Sequence, residues 1–128
     1  MKKTKGSKEW AKTKKIKYLG THLIAELWGG KITEDPKGIE ELLRLAAKKA
    51  GNTPLNFSFH RFNPHGMTGV LLLAESHIAL HSWPEYKYVA LDIFTCGAKA
   101  FPEKALEVLK REMKPKRVEV KIIKRGRT

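Results

Sequence analysis

Residues 67–96 read MTGVLLLAESHIALHSWPEYKYVALDIFTC. The stretch holds three apolar runs of strand length: Met67 to Ala74, Ile78 to Trp83 and Tyr86 to Cys96. Only Glu75-Ser76-His77 and Pro84-Glu85 separate them, which leaves no room for a helical crossover. Strands that follow one another this closely predict a mostly antiparallel sheet. On the N-terminal side, Pro54 to Phe62 sets Leu55, Phe57 and Phe59 on one face and Asn56, Ser58 and His60 on the other. Tyr18 to Trp28 reads as a further strand, ended by Gly29-Gly30, and Val118 to Ile123 as a closing one. Met67 to Ala74 reads as the more fully buried of the set.

Two helices interrupt the strands. Asp35 is placed as an N-cap with Pro36 in the first turn, and Ile39, Leu42, Leu43, Ala46 and Ala50 follow at helical spacing up to Gly51. The second helix begins near Pro102, buries Ala105, Leu106, Leu109 and Met113, and stops before Pro115. The predicted fold is α+β: a two-layer sandwich, its sheet mostly antiparallel, with both helices on one face. Two helices leave the second sheet face bare, and a second subunit is the natural cover.

The chain has 128 residues, one domain's length, and a net charge of +13. Residues 1–17 hold eight lysines against one glutamate, so over half of the excess lies in one short stretch. Residues 1–16 therefore read as a basic, disordered tail, and 17–128 as the folded domain. Contact of the tail with RNA or phosphate is an open alternative to simple solvation. A single cysteine, Cys96, excludes an internal disulfide and fits a reducing cytoplasm. No apolar run approaches a membrane span, and the lysine-rich start lacks the apolar region of a secretory signal.

Seven polar or reactive residues sit inside the apolar strands: His60, Thr68, Ser76, His77, His81, Asp92 and Cys96. Three chemistries compete for them. His77 and His81 as metal ligands share a strand face but stand roughly 13 Å apart at about 3.3 Å per residue, too far for one ion. A hydrolase with Ser76 or Cys96 as nucleophile lacks both G-x-S-x-G and a glycine-rich oxyanion loop. The third is self-processing. A serine attacks the carbonyl before it, a base removes its α-proton, and β-elimination leaves a dehydroalanine that hydrolyses to a pyruvoyl group. That route needs a strained serine, an oxyanion donor and a nearby base.

The segments ESHIALHSWPEY (75–86), LDIFTCG (91–97) and FHRFNPHGMTGV (59–70) resemble the S-adenosylmethionine decarboxylase proenzymes of the small prokaryotic and archaeal type. The similarity runs from about residue 18 to 127. It implies cleavage between Glu75 and Ser76, with Ser76 becoming the pyruvoyl group that forms a Schiff base with substrate. It also implies His81 as the base of processing and Cys96 as the proton donor of decarboxylation. Thr68 stands where the family usually has serine, and its hydroxyl is expected to assist processing. His77 matches the motif but receives no role. The resemblance further implies a homodimer, no metal and no pyridoxal phosphate. The product would be decarboxylated S-adenosylmethionine for spermidine biosynthesis. Phe62 and Trp83 are expected to stack on adenine and sulfonium, and Glu85 to accept from the ribose hydroxyls. Decarboxylation of arginine by the same chemistry, or a non-processing basic binding module, are the alternatives.

Ser76 and His81 are five apart, an odd number, so a regular strand would point them to opposite faces. A bend or bulge near Glu75-Ser76 is therefore expected to bring them together.

Overall fold

The computed structural model describes residues 17–97 and 100–128; the basic tail expected over residues 1–16 lies outside them. The elements run β1 (Tyr18–Trp28), α1 (Pro36–Lys49), β2 (Pro54–Arg61), β3 (Met67–Leu73), β4 (Ser76–Trp83), β5 (Tyr88–Cys96), α2 (Pro102–Met113) and β6 (Arg117–Arg127). They form one six-stranded sheet in the order β2-β3-β4-β5-β1-β6, with every neighbouring pair antiparallel. The α+β, two-helix reading holds.

Local chemistry sets the helix ends. The Asp35 carboxylate accepts from the Gly38 N–H at 3.0 Å, satisfying one orphan donor at the start of α1. Gly51, just past the other end, has φ +80°, a conformation that only glycine adopts without cost. Both helices turn one apolar stripe to the sheet. Ile39, Leu43, Ala46 and Ala47 of α1, and Ala105 and Leu109 of α2, are fully buried against Leu23, Ala25, Leu71, Ile78, Leu80 and Ile93. Each large side chain among them contributes about 1.5–3 kcal/mol through burial.

Alternation then dictates the other face. His22, Ile24, Glu26 and Trp28 of β1, His77, Ala79 and His81 of β4, and Ala90, Asp92 and Phe94 of β5 point away from the helices and are only half-buried. Leu72 and Ile123 on that face are 48% and 40% exposed. Among the described residues no helix covers it.

Some expected boundaries move. β3 is buried on one face only, because among the described residues no element covers the face of Val70 and Leu72. β4 begins at Ser76 rather than Ile78, since pairing starts with Leu73↔Ser76. β5 begins at Tyr88, because Pro84–Tyr86 form one 3₁₀ turn closed by Lys87 at φ +51°. β6 runs on to Arg127 because β1 pairs with it as far as Tyr18↔Arg127.

Candidate active site

The expected site residues collect at two opposite ends of β4. The first end holds Glu75, Ser76 and Cys96. β3 and β4 are joined by a tight turn at Ala74-Glu75, and Ser76 leaves it with φ +153°. That is a region natural to glycine, in which another residue stores about 1–3 kcal/mol of strain. Cys96, the last residue of β5, donates from Sγ to the Glu75 carbonyl oxygen at 3.2 Å. A thiol donor thus faces the carbonyl that a Ser76 hydroxyl would have to attack. The Glu75 side chain is held too, accepting from the Thr53 N–H at 2.9 Å and the Thr53 hydroxyl at 3.0 Å. The Thr53 N–H pulls the Glu75 carboxyl below its ordinary pKa, outweighing a smaller desolvation effect.

The second end holds Thr68 and His81. They are cross-strand partners on β3 and β4, and Thr68 Oγ1 lies 3.0 Å from His81 Nδ1. Beside them opens a cleft of about 400 Å³, lined by Phe62, His65, Thr68, His81, Trp83 and Glu85 among others. Gly66 makes the loop over this cleft possible. Its φ is +101°, and a Cβ there would stand 3.0 Å from the Ser82 carbonyl oxygen. His65 Nε2 meets Glu85 Oε1 at 3.1 Å across the cleft mouth. Phe62 is half exposed and packs edge-on against His60. Trp83 is 41% exposed and stacks on Tyr88, which in turn stacks on Trp28. The Tyr88 hydroxyl donates to Glu26, and burial, reinforced by that carboxylate, pushes its pKa up to about 12. A larger depression of about 630 Å³, between the β1–α1 loop and the helices, contains none of the expected residues.

Near the expected bend the chain turns at Ala74-Glu75, but this turn precedes Ser76 and does not bring His81 back to it. β4 keeps register with β3 from Ser76 to Ser82 and with β5 from His77 to Trp83. Five residues at about 3.3 Å each put His81 roughly 16 Å from Ser76 along its own strand. Strain is present at Ser76, as anticipated, but continuous pairing to two neighbours leaves no slack for a bulge. Within one chain, therefore, the base and the serine do not meet.

Between the two ends lies a network that the sequence only half revealed. Asp92 accepts from His77 Nε2 at 2.9 Å and from His22 Nε2. Burial pushes the Asp92 carboxyl up, but the bonds from His77 and His22 together outweigh it and leave its pKa lowered. His77 thus has an anchoring partner on the open face. Among the described residues no group of three histidine, cysteine or carboxylate side chains could hold a metal ion. Among the described residues no helix is long and apolar enough to cross a membrane.

His22, Asn52 and Thr53 were not singled out from sequence. His22 sits on β1, distant in the chain from the motif, and Asn52-Thr53 read as an ordinary loop after a helix. Only the register β1–β5 (His22↔Phe94) and the approach of the α1–β2 loop to the β3–β4 turn reveal them.

A family model described as S-adenosylmethionine decarboxylase matches residues 21–126. The chain is 46% identical over 113 residues to the S-adenosylmethionine decarboxylase proenzyme of Methanococcus vannielii, covering 87% of this chain and 93% of that protein. It is likewise 46% identical over 112 residues to the proenzyme of Persephonella marina, covering 86% and 84% of the two chains. The crystal structure of the adenosylmethionine decarboxylase of Aquifex aeolicus superposes with a TM-score of 0.76 at 38% identity, over 86% of this chain and 92% of that one. With the match spanning both ends of β4 and the sheet that connects them, the chain belongs to the S-adenosylmethionine decarboxylase family.

Proposed function

We propose that residues 17–128 form a self-processing decarboxylase that acts on S-adenosylmethionine after cleavage between Glu75 and Ser76. The observation that carries this reading is the Cys96 thiol on the Glu75 carbonyl, next to a serine in strained backbone. Attack of Ser76 Oγ on that carbonyl breaks the Glu75–Ser76 amide and forms an ester. Charge gathers on the carbonyl oxygen, where the Cys96 S–H already points. Relief of the Ser76 strain favours the same step. Removal of the Ser76 α-proton then expels the Glu75 carboxylate, and water replaces the remaining nitrogen, which leaves as ammonia.

The residues at this end suit a pyruvoyl group, and they hold its position through the β4 ladder and Cys96. Such a group supplies an electrophilic carbonyl that draws off the electrons released with CO₂. Cys96 returns the proton to the substrate α-carbon. No metal or pyridoxal phosphate enters the scheme. Cys96 must stay a free thiol for this, which suits a reducing cytoplasm. Cys96→Ala is expected to cleave still, more slowly, and then to lose most CO₂ release or to protonate the wrong atom. Gel analysis and product analysis of the same preparation check the two duties separately.

His81 is the base of processing, and the roughly 16 Å separation means that it serves the Ser76 of a second copy. Two sheets packed on their open faces stand about 10 Å apart, and an isologous pairing lays one β4 against the other in reverse. The Thr68–His81 end of one protomer then meets the Ser76–Cys96 end of its partner, twice over. The homodimer also covers His22, Leu72 and the Asp92 network.

Phe62, Trp83 and Glu85 line the cleft beside His81 and bind the adenosine part of the substrate. Trp83 already spends one face on Tyr88, so Phe62 is the freer stacking surface. Aromatic stacking contributes about 0.5–1.5 kcal/mol, so Phe62→Ala is expected to raise KM for S-adenosylmethionine roughly threefold to tenfold and leave cleavage intact. The product, decarboxylated S-adenosylmethionine, is an aminopropyl donor for spermidine synthesis. The substrate assignment is tested by offering S-adenosylmethionine and arginine separately to processed enzyme and measuring CO₂. Release from arginine alone overturns it.

A further inference from the structure

We propose that Thr53 is a positioning residue for self-cleavage: it grips the Glu75 side chain so that the Glu75 carbonyl stays on Cys96 while Ser76 attacks. The proposal rests on the self-processing reading above.

Three contacts from one short loop carry it. The Thr53 N–H and hydroxyl fork onto the two Glu75 carboxylate oxygens at 2.9 and 3.0 Å. The Thr53 carbonyl accepts from the Ala74 N–H at 2.9 Å, on the other side of the same turn. The preceding residue, Asn52, is buried and donates from Nδ2 to Thr95 Oγ1 at 2.8 Å. Thr95 adjoins Cys96. Adjacent loop residues therefore hold the two sides of the 3.2 Å contact between Sγ and the Glu75 oxygen. The loop itself is fixed, since the Asn52 N–H donates to the Ala47 carbonyl at the end of α1.

Chemistry explains why such a clamp matters. In the acyl shift the Glu75 carbonyl carbon loses its bond to the Ser76 nitrogen and gains one to Ser76 Oγ, whose proton passes to that nitrogen. Nothing else is consumed. The rate depends on keeping the carbonyl oriented between its attacker and its donor, because small misplacements at a reacting centre are costly. A two-residue turn exposed to solvent cannot do this alone. A charged carboxylate with two donors from a rigid neighbour can.

The test follows fragment appearance in freshly translated full-length chains. Thr53→Val keeps the side-chain volume and the N–H but removes the hydroxyl, and is expected to slow cleavage roughly tenfold, as loss of a hydrogen bond to a charged group would. Thr53→Ser restores that hydroxyl and is expected to cleave within about twofold of the parent, a rescue that a purely packing role would not give. Glu75→Ala leaves Thr53 untouched and must slow cleavage as well. The double variant must be no slower than the slower single one, because both remove one interaction. Parent-like cleavage in Thr53→Val or Glu75→Ala overturns the proposal. So does a Thr53→Ser chain as slow as Thr53→Val, or a double variant whose losses multiply. If Thr53→Val does not fold, Glu75→Ala and Thr53→Ser still decide it. If the unmutated chain yields no fragment ending at Glu75, the self-processing reading itself fails, and the clamp with it.

Discussion

Ser76→Ala is expected to remain a single 128-residue chain and to release no CO₂ from S-adenosylmethionine. Alanine has no hydroxyl to attack the Glu75 carbonyl, so neither the ester nor anything after it can form. The effect is total rather than graded, because the same side chain is both the nucleophile of processing and the precursor of the electrophile. The fold should survive. Ser76 sits at the start of β4, where the register with β3 depends on the buried Leu71, Leu73 and Ile78. Thermal unfolding near that of the parent, with an intact band on a denaturing gel, is the expected pair of results. Full cleavage of Ser76→Ala would remove the nucleophile assignment.

His81→Ala alone is expected to stall, holding an intact chain or an ester that hydroxylamine breaks. Co-expressed with a differently tagged Ser76→Ala chain, it is expected to be cleaved. The mixed dimer pairs the good serine of one chain with the good histidine of the other, so one of its two sites is complete. Cleavage should appear only on the His81→Ala chain and never on its Ser76→Ala partner. The argument is geometric: β4 is straight and paired on both sides, so His81 lies roughly 16 Å from the serine of its own chain. Failure of the mixture to cleave would show that His81 acts within its own protomer or not at all. Parent-like processing of His81→Ala alone would remove it as the base.

The sequence made most of the architecture legible because its periodicities are clean. The stripes Ile39-Leu43-Ala46 and Ala105-Leu109 name the buried helix faces almost residue by residue, whereas the continuous apolar run of β3 hid that only one of its faces is buried. The Asp35 cap and Gly51 stop hold for the same reason: capping is local chemistry. Boundaries were missed where pairing, not composition, decides them. Arg125 and Arg127 lie in β6 because β1 opposite them is long enough to pair, which no property of those arginines announces.

The site divides along the same line. Thr68, Ser76, His81 and Cys96 stand out as polar or reactive residues in apolar runs. Thr68 meeting His81, and Cys96 meeting Glu75, follow from the register once it is known. The expectation that His81 curls back to Ser76 failed because β4 stays in register with both neighbours along its length. The odd spacing was the right warning, and the resolution proposed for it is a second copy across the open sheet face. Thr53 and His22 reach Glu75 and Asp92 through the tertiary approach of segments far apart in the chain, and a single sequence carries no mark of that.

The most direct measurement is the intact mass of the purified, unmutated protein. The expected result is two species. One is residues 1–75 with a free carboxylate at Glu75. The other is residues 76–128, lighter by one ammonia than a fragment beginning with serine, because a ketone has replaced the amine, and heavier by two hydrogens after borohydride reduction. An unbroken 128-residue chain, or a 76–128 fragment that still begins with serine, would contradict the account.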